Sequence, residues 1–182
     1  KLKQTVRQQN IGALKVAAVW GGAHGIVGLL YAKQIISVAE LILPTVTGLD
    51  CTLWDVEYVK EGADWHLRVT IDRPEGVTIN DCERVHRAID PLLDEADPIE
   101  GFYYLEVSSP GIERELRTDT HLEASLGEAC EIRLFAARDG ARVYRGRLTG
   151  YDREGVTLTL ADGSEAQFAR DGIAKISTVY ED

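Results

Sequence analysis

The feature that most constrains this chain is a strand with a hard stop, Tyr103-Tyr104-Leu105-Glu106-Val107-Ser108-Ser109-Pro110-Gly111-Ile112-Glu113-Arg114. Tyr103, Leu105 and Val107 alternate with Tyr104, Glu106 and Ser108, the period of two expected of a strand with one buried face. Pro110 lacks a backbone donor and drives Ser109 toward extended geometry. Gly111 permits a turn that other residues resist. A strand built from these residues must end abruptly, with two hydroxyls and free backbone groups at its tip. Helical and strand patterns mix before this stretch, and strands dominate after it. It is therefore also a domain boundary, and the fold class expected is α+β in two domains.

In the first domain, Ile35, Ile36, Val38, Ala39, Leu41, Ile42 and Leu43 fit a short helix with a wide apolar face, interrupted near Pro44. Trp54, Val56 and Tyr58 alternate with Asp55, Glu57 and Val59 as a strand. After the polar turn Lys60–Asp64, His66, Arg68, Thr70 and Asp72 alternate with Leu67, Val69 and Ile71 as its hairpin partner. Thr78 followed by Asp81 has the form of an N-cap with a carboxylate in the first turn. The stripe Ile79, Cys82, Val85, Ile89, Leu92, Leu93 and Ala96 then predicts a second helix, with Pro91 expected to kink or split it. Helix, strand, strand, helix, strand describes a three-stranded sheet with two helices on one face.

Past Arg114 the pattern changes. A short helix is expected from Asp119 to Leu126, capped by Thr118 or Asp119 and stopped by Gly127. Five strand signals follow, around Ile132–Leu134, Tyr144–Leu148, Val156–Leu160, Ala166–Phe168 and Ile173–Ile176. Asp162-Gly163 marks a hairpin turn, and Gly146 sits where a strand could bend sharply. That density of short strands points to a small β-barrel of the SH3 or Sm type. The domains expected are residues 32–109 and 118–182, with 110–117 as linker.

Residues 1–31 fall outside this plan. A glycine-rich apolar run from Val16 to Ala32 follows basic residues, the outline of a secretory signal. Its glycines weaken a helix and His24 sits badly in a membrane, so the segment is expected to be a disordered or non-native extension. No run of the chain is long and apolar enough to suggest a spanning helix, and a cytoplasmic protein is expected. Cys51, Cys82 and Cys130 are widely spaced and odd in number, which argues against a disulfide framework.

Charge is the next constraint. The chain carries thirty acidic and twenty basic residues, a net charge of −10, which disfavours non-specific binding to bare phosphate. The distribution is uneven. Arg133, Arg138, Arg142, Arg145, Arg147 and Arg153 crowd one hairpin, with Arg145 and Arg147 expected on its outward face. Two readings stay open for them: a solvated hairpin, or a contact surface for RNA or a ribonucleoprotein, where arginine grips phosphate bidentately.

No catalytic constellation emerges. Ser108 and Ser109 lack the flanking glycines of a GxSxG elbow, so a serine hydrolase has little to stand on. The four histidines show no metal-ligand spacing, and neither a phosphate loop nor GxGxxG is present. No catalytic, cofactor-binding or metal-ligating residue is nominated, and no cofactor or small-molecule substrate is expected.

Taken together, Asp55-Val56-Glu57-Tyr58-Val59, Leu67 through Thr78, Asp97-Pro98-Ile99 and above all Tyr104 through Arg114 resemble the bacterial ribosome maturation factor RimP family. The likeness spans roughly Ala32 to Tyr180, with several motifs in the right order and spacing. It implies an α/β amino-terminal domain joined to an SH3-like barrel. It also implies a non-enzymatic assembly factor, monomeric, that binds the free small ribosomal subunit late in maturation. The partners implied are small-subunit rRNA and a decoding-centre ribosomal protein. Matching motif positions are Ser108, Ser109, Pro110, Gly111 and Arg114, with Arg68, Asp72 and Pro74 in the hairpin. Residues 1–31, Pro91 and Glu115-Leu116 depart from the family pattern. An alternative is an Sm-like RNA-binding regulator of transcripts, which would bind isolated RNA with steep salt dependence.

Overall fold

The structure is a computed structural model that describes residues 26–180, with side chains from Lys33 onward. The described residues divide into two compact units, with the break between Pro110 and Gly111.

The first unit begins with helix α1, Ile26–Gly48. It starts before the expected Ile35 and runs through Pro44. The remainder of the expected extension, residues 1–25, lies outside the described residues. Val38, Ala39, Ile42 and Leu43 before the proline, and Val46 after it, all bury in one cluster. Burying a side chain such as Val46 is worth ~1.5–3 kcal/mol, enough to offset much of what proline costs a helix.

Strands β1, Thr52–Glu61, and β2, Asp64–Asp72, form an antiparallel hairpin. Gly62, at φ 61°, lies in its turn. The alternation expected for β1 is broken at Trp54. Leu53 pairs with Ile71 and Asp55 with Thr70, so Trp54 is an extra residue and Leu53 takes the core face ahead of Val56 and Tyr58. On β2 the reading holds, with Leu67, Val69 and Ile71 fully buried.

Helix α2, Ile79–Ala96, follows as one continuous element through Pro91. Pro91 lies on its exposed side while Val85, Ile89 and Leu93 bury on the other, so the core face stays continuous across it. Asp97, at φ 39°, ends the helix and donates its N–H to the Leu93 carbonyl at 2.9 Å. Strand β3, Tyr104–Ser108, then pairs in parallel with β2, giving the order β1-β2-β3. Tyr103, Leu105 and Val107 pack against the core, as their spacing predicts.

The start of α2 is held by Asp81. Its Oδ2 accepts from the Thr78 hydroxyl at 2.7 Å and the Thr78 N–H at 3.0 Å, and the Thr78 oxygen accepts the Asp81 N–H at 3.3 Å. This is a full capping box. Its Oδ1 accepts from Arg73 Nη1 at 2.7 Å and Arg84 Nη2 at 3.1 Å. The Thr78 donors, with the Arg73 guanidinium behind them, hold the carboxyl down at about 2.

The second unit has a short helix α3, Asp119–Ala124, capped by the Thr118 hydroxyl accepting the His121 N–H at 3.1 Å. Five strands follow: β4, Ala129–Arg138; β5, Ala141–Tyr151; β6, Gly155–Leu160; β7, Glu165–Ala169; and β8, Ile173–Thr178. They form one antiparallel sheet in the order β7-β6-β5-β4-β8. A 3-10 turn, Arg170–Gly172, links β7 to β8. All five strands fall where the sequence placed them. Gly146 is required less by a bend than by close approach: a Cβ there would meet the Thr159 carbonyl oxygen at 2.4 Å. Cys51 and Cys130 are buried, and all three cysteines are free thiols.

Candidate ribonucleoprotein contact sites

The nominated residues fall in three places. The first is the end of β3 and the turn that follows. Ser108 and Ser109 are exposed, and their hydroxyls make no hydrogen bond among the described residues. Gly111 adopts φ 75°, the left-handed backbone that its identity anticipates. Arg114 is then held by Thr178. The Arg114 N–H donates to the Thr178 hydroxyl at 2.7 Å, that hydroxyl donates to the Ile112 carbonyl at 2.8 Å, and the Thr178 N–H donates to the Arg114 carbonyl at 2.9 Å. Arg114 Nε reaches the Gly111 carbonyl at 3.2 Å. One buried threonine at the end of β8 thus fixes the turn. Nothing in its local sequence signals this, because the pairing spans more than sixty residues.

Beside this turn is a cleft of about 460 Å³ within the second unit, lined by Ile112, Arg114, Gly127, Arg147 and Tyr180 among others. Arg147 Nη1 donates to the Gly127 carbonyl at 2.7 Å.

The second place is the solvent face of the β2–β3 pair. Arg68 Nε donates to Glu106 Oε2 at 2.7 Å and its Nη2 lies 2.8 Å from Glu61. The other Glu106 oxygen meets His66 Nδ1 at 2.6 Å. Parallel pairing of Arg68 with Glu106 places the two side chains together. Arg68, and His66 after it, hold the Glu106 carboxyl below its ordinary range. Arg68 is therefore matched by two carboxylates on its own sheet. Asp72 closes β2, opposite Thr52.

The third place is the arginine hairpin β4–β5. Register pairs Arg133 with Val143, Glu131 with Arg145 and Ala129 with Arg147, and on the other side pairs Arg133 with Lys175 and Glu131 with Ser177. Directly paired residues share a face, so Arg133, Arg145, Arg147 and Lys175 gather on one side of β8-β4-β5. Arg145 and Arg147 lie together there, as expected. At the centre is a residue the sequence reading passed over. Glu131 is buried, its side chain 6% exposed. Its Oε1 accepts from Arg133 Nε at 2.7 Å, and its Oε2 from Arg145 Nε at 2.8 Å and Nη2 at 2.7 Å. Arg133 and then Arg145 hold the Glu131 carboxyl below its ordinary range. The signal that could have found it is the i, i+2 pair Glu131 and Arg133 on a strand, which must share a face. Arg138 turns elsewhere. It donates to the Gln167 carbonyl at 2.7 Å and lies over the Phe168 ring at 5.4 Å.

Among the described residues no cluster of three His, Cys, Asp or Glu side chains could hold a metal, and no helix is long and apolar enough to cross a membrane. What the fold and these faces define is a two-unit α+β protein. It has an acidic amino-terminal sheet unit and an antiparallel five-stranded unit with Arg133, Arg145 and Arg147 exposed on one face. Residues 41–113 match the family model of the RimP N-terminal domain. The match covers all of β1, β2, α2 and β3 and the Ser-Ser-Pro-Gly turn, so this part of the chain is similar to that domain.

Proposed function

We propose that this chain is a non-enzymatic assembly factor that binds the free small ribosomal subunit and promotes its late maturation, through rRNA folding and recruitment of ribosomal protein. The observation that carries the reading is the RimP N-terminal domain at residues 41–113. The outward arginine face of β4–β5 supports it, since an otherwise acidic chain needs a focal site to meet a ribonucleoprotein. In this reading the five-stranded unit is a closed SH3-like barrel, and the 3-10 turn joining its two edge strands is the connection such closure needs. The domains are residues 32–109 and 118–182 about a junction at 110–117. Ser108, Ser109, Pro110, Gly111 and Arg114 brace that junction or meet the subunit, as do Arg68 and Asp72 on the sheet, and Arg133, Arg145 and Arg147 supply the cationic contact. The protein acts as a monomer in the cytoplasm.

Sedimentation of cell extract tests this. The protein is expected to travel with free small subunits and to be absent from translating ribosomes. A pool found only at the top of the gradient would overturn the reading.

A further inference from the structure

We propose that the outer face of β8-β4-β5 is a binding surface for single-stranded RNA, on which buried Glu131 aims Arg133 and Arg145 at phosphates and Phe135 offers a ring for base stacking. This deepens the assembly-factor reading, and rests on it for the identity of the RNA.

The geometry is that of a prearranged pair. A free arginine side chain loses considerable rotamer freedom when it grips a ligand. Here Glu131 has already fixed both side chains by their Nε atoms, at 2.7 and 2.8 Å. The guanidinium groups nevertheless remain in water, with side chains 63% and 72% exposed. One carboxylate set against two guanidiniums leaves a net positive charge. Because the carboxylate is sunk beneath them, it presents little negative surface to an approaching anion. Lys175, paired directly with Arg133, adds a third cation, tempered by Glu115 at 3.7 Å.

The apolar neighbours select among anions. Phe135 is 68% exposed, two residues beyond Arg133, where β4 leaves register with β5. Val143, directly opposite Arg133, is also exposed. An acidic protein patch would satisfy the arginines and give the phenyl ring no particular role. Unstacked bases use both features, phosphate on arginine and base on ring. A net charge of −10 repels RNA at long range, so only a strand that seats its phosphates on this focal pair gains from binding.

The test uses the full 182-residue chain and a fluorescently labelled single-stranded oligoribonucleotide, read by anisotropy across a salt series. Arg133→Ala with Arg145→Ala is expected to weaken binding at least about tenfold. It should also flatten the slope of log K against log salt by about 1.4, two phosphate contacts at about 0.7 each. Phe135→Ala, an exposed change that keeps the fold, should weaken binding about fivefold with the salt slope unchanged. Glu131→Gln should weaken binding severalfold although it makes the chain less negative, and Glu131→Asp should recover part of the loss. Tighter or unchanged RNA binding by Glu131→Gln would overturn the positioning role. Equal affinity of the wild-type chain for polyglutamate of matched charge would overturn the RNA assignment in favour of an acidic protein partner. A wild-type protein that travels with small subunits but ignores the oligoribonucleotide sinks this inference alone. One that binds the oligoribonucleotide but never travels with subunits sinks the assembly reading.

Discussion

Asp81 and Glu131 look alike as local motifs and serve opposite ends. Each is a buried carboxylate, each accepts from two arginines, and each is held below its ordinary pKa by its donors. Around Asp81 most donors turn inward, and only Arg84, 50% exposed, reaches in from the surface. The Thr78 hydroxyl and N–H belong to the helix cap, and Arg73, 26% exposed, ties the loop after β2 to the start of α2. Around Glu131 the donors are two largely exposed arginines on one sheet face. The first carboxylate ties a loop to a helix start, whereas the second holds two cations in place at the solvent face. A buried carboxylate with two arginines is thus not a sign of function by itself. The two sites differ in how far their guanidiniums face solvent: 26% and 50% exposed for Arg73 and Arg84 beside Asp81, against 63% and 72% for Arg133 and Arg145 beside Glu131.

The comparison is broken most violently by removing the platform under Glu131. Gly146→Val drives a side chain into the Thr159 carbonyl, where even a Cβ would sit at 2.4 Å. It should cost the second unit about 3 kcal/mol. Far-UV circular dichroism in urea should show the loss, while the fluorescence of Trp54 and Trp65, both in the first unit, should keep its midpoint. A shared shift of both signals would show that the units unfold as one.

Removing each carboxylate sharpens the contrast. Asp81→Ala strands two Thr78 donors and leaves the partly buried Arg73 without its 2.7 Å partner. It should lower the first unit's melting temperature by about 5 °C or more. Glu131→Ala releases two arginines already in water, so the second unit should lose less. Equal losses, by tryptophan fluorescence for the first unit and circular dichroism for the second, would erase the distinction.

Acid provides a graded version of the same experiment. Asp81 titrates at about 2 in the folded chain against an ordinary 3.8. The folded pKa is the lower one, so the stabilisation is complete above about pH 4 and is lost as pH falls toward 2. Tryptophan-detected stability should decline across that window. Asp81→Asn should start less stable and decline less, and a parallel decline would assign the acid sensitivity to other carboxylates.

Much of this was legible from residue order alone. The strand of Tyr103–Ser108, the β2 alternation, the Thr78–Asp81 cap and all five later strands follow from periods and turn residues, which are local. The misplaced details depend on distant partners. Pro44 is expected to interrupt its helix and Pro91 to kink or split the next; both helices run on past their prolines, each of which sits outside a core face that stays continuous. The Trp54 bulge is visible only once β2 fixes the register. Thr178 clamps a turn more than sixty residues upstream, and Glu131 draws in Arg145 from the neighbouring strand. Arg68 meets its carboxylate partner Glu106 only because the next strand in sequence, more than thirty residues on, pairs beside it. Sequence patterns indicate which residues face outward. They do not indicate which outward charges are already matched.

The smallest expected effect is the most discriminating. Arg133→Ala removes one of two guanidiniums from Glu131 and leaves Arg145 bound through both Nε and Nη2. Because Arg133 is mostly solvated, its ion pair should contribute less than about 1 kcal/mol to stability, and salt should screen even that. A urea midpoint close to wild type, together with weakened association with free small subunits, would separate the role of this arginine from stability. If stability instead fell as far as with Asp81→Ala, Arg133 would be a fastening like Arg73, and exposure would no longer distinguish the two carboxylates.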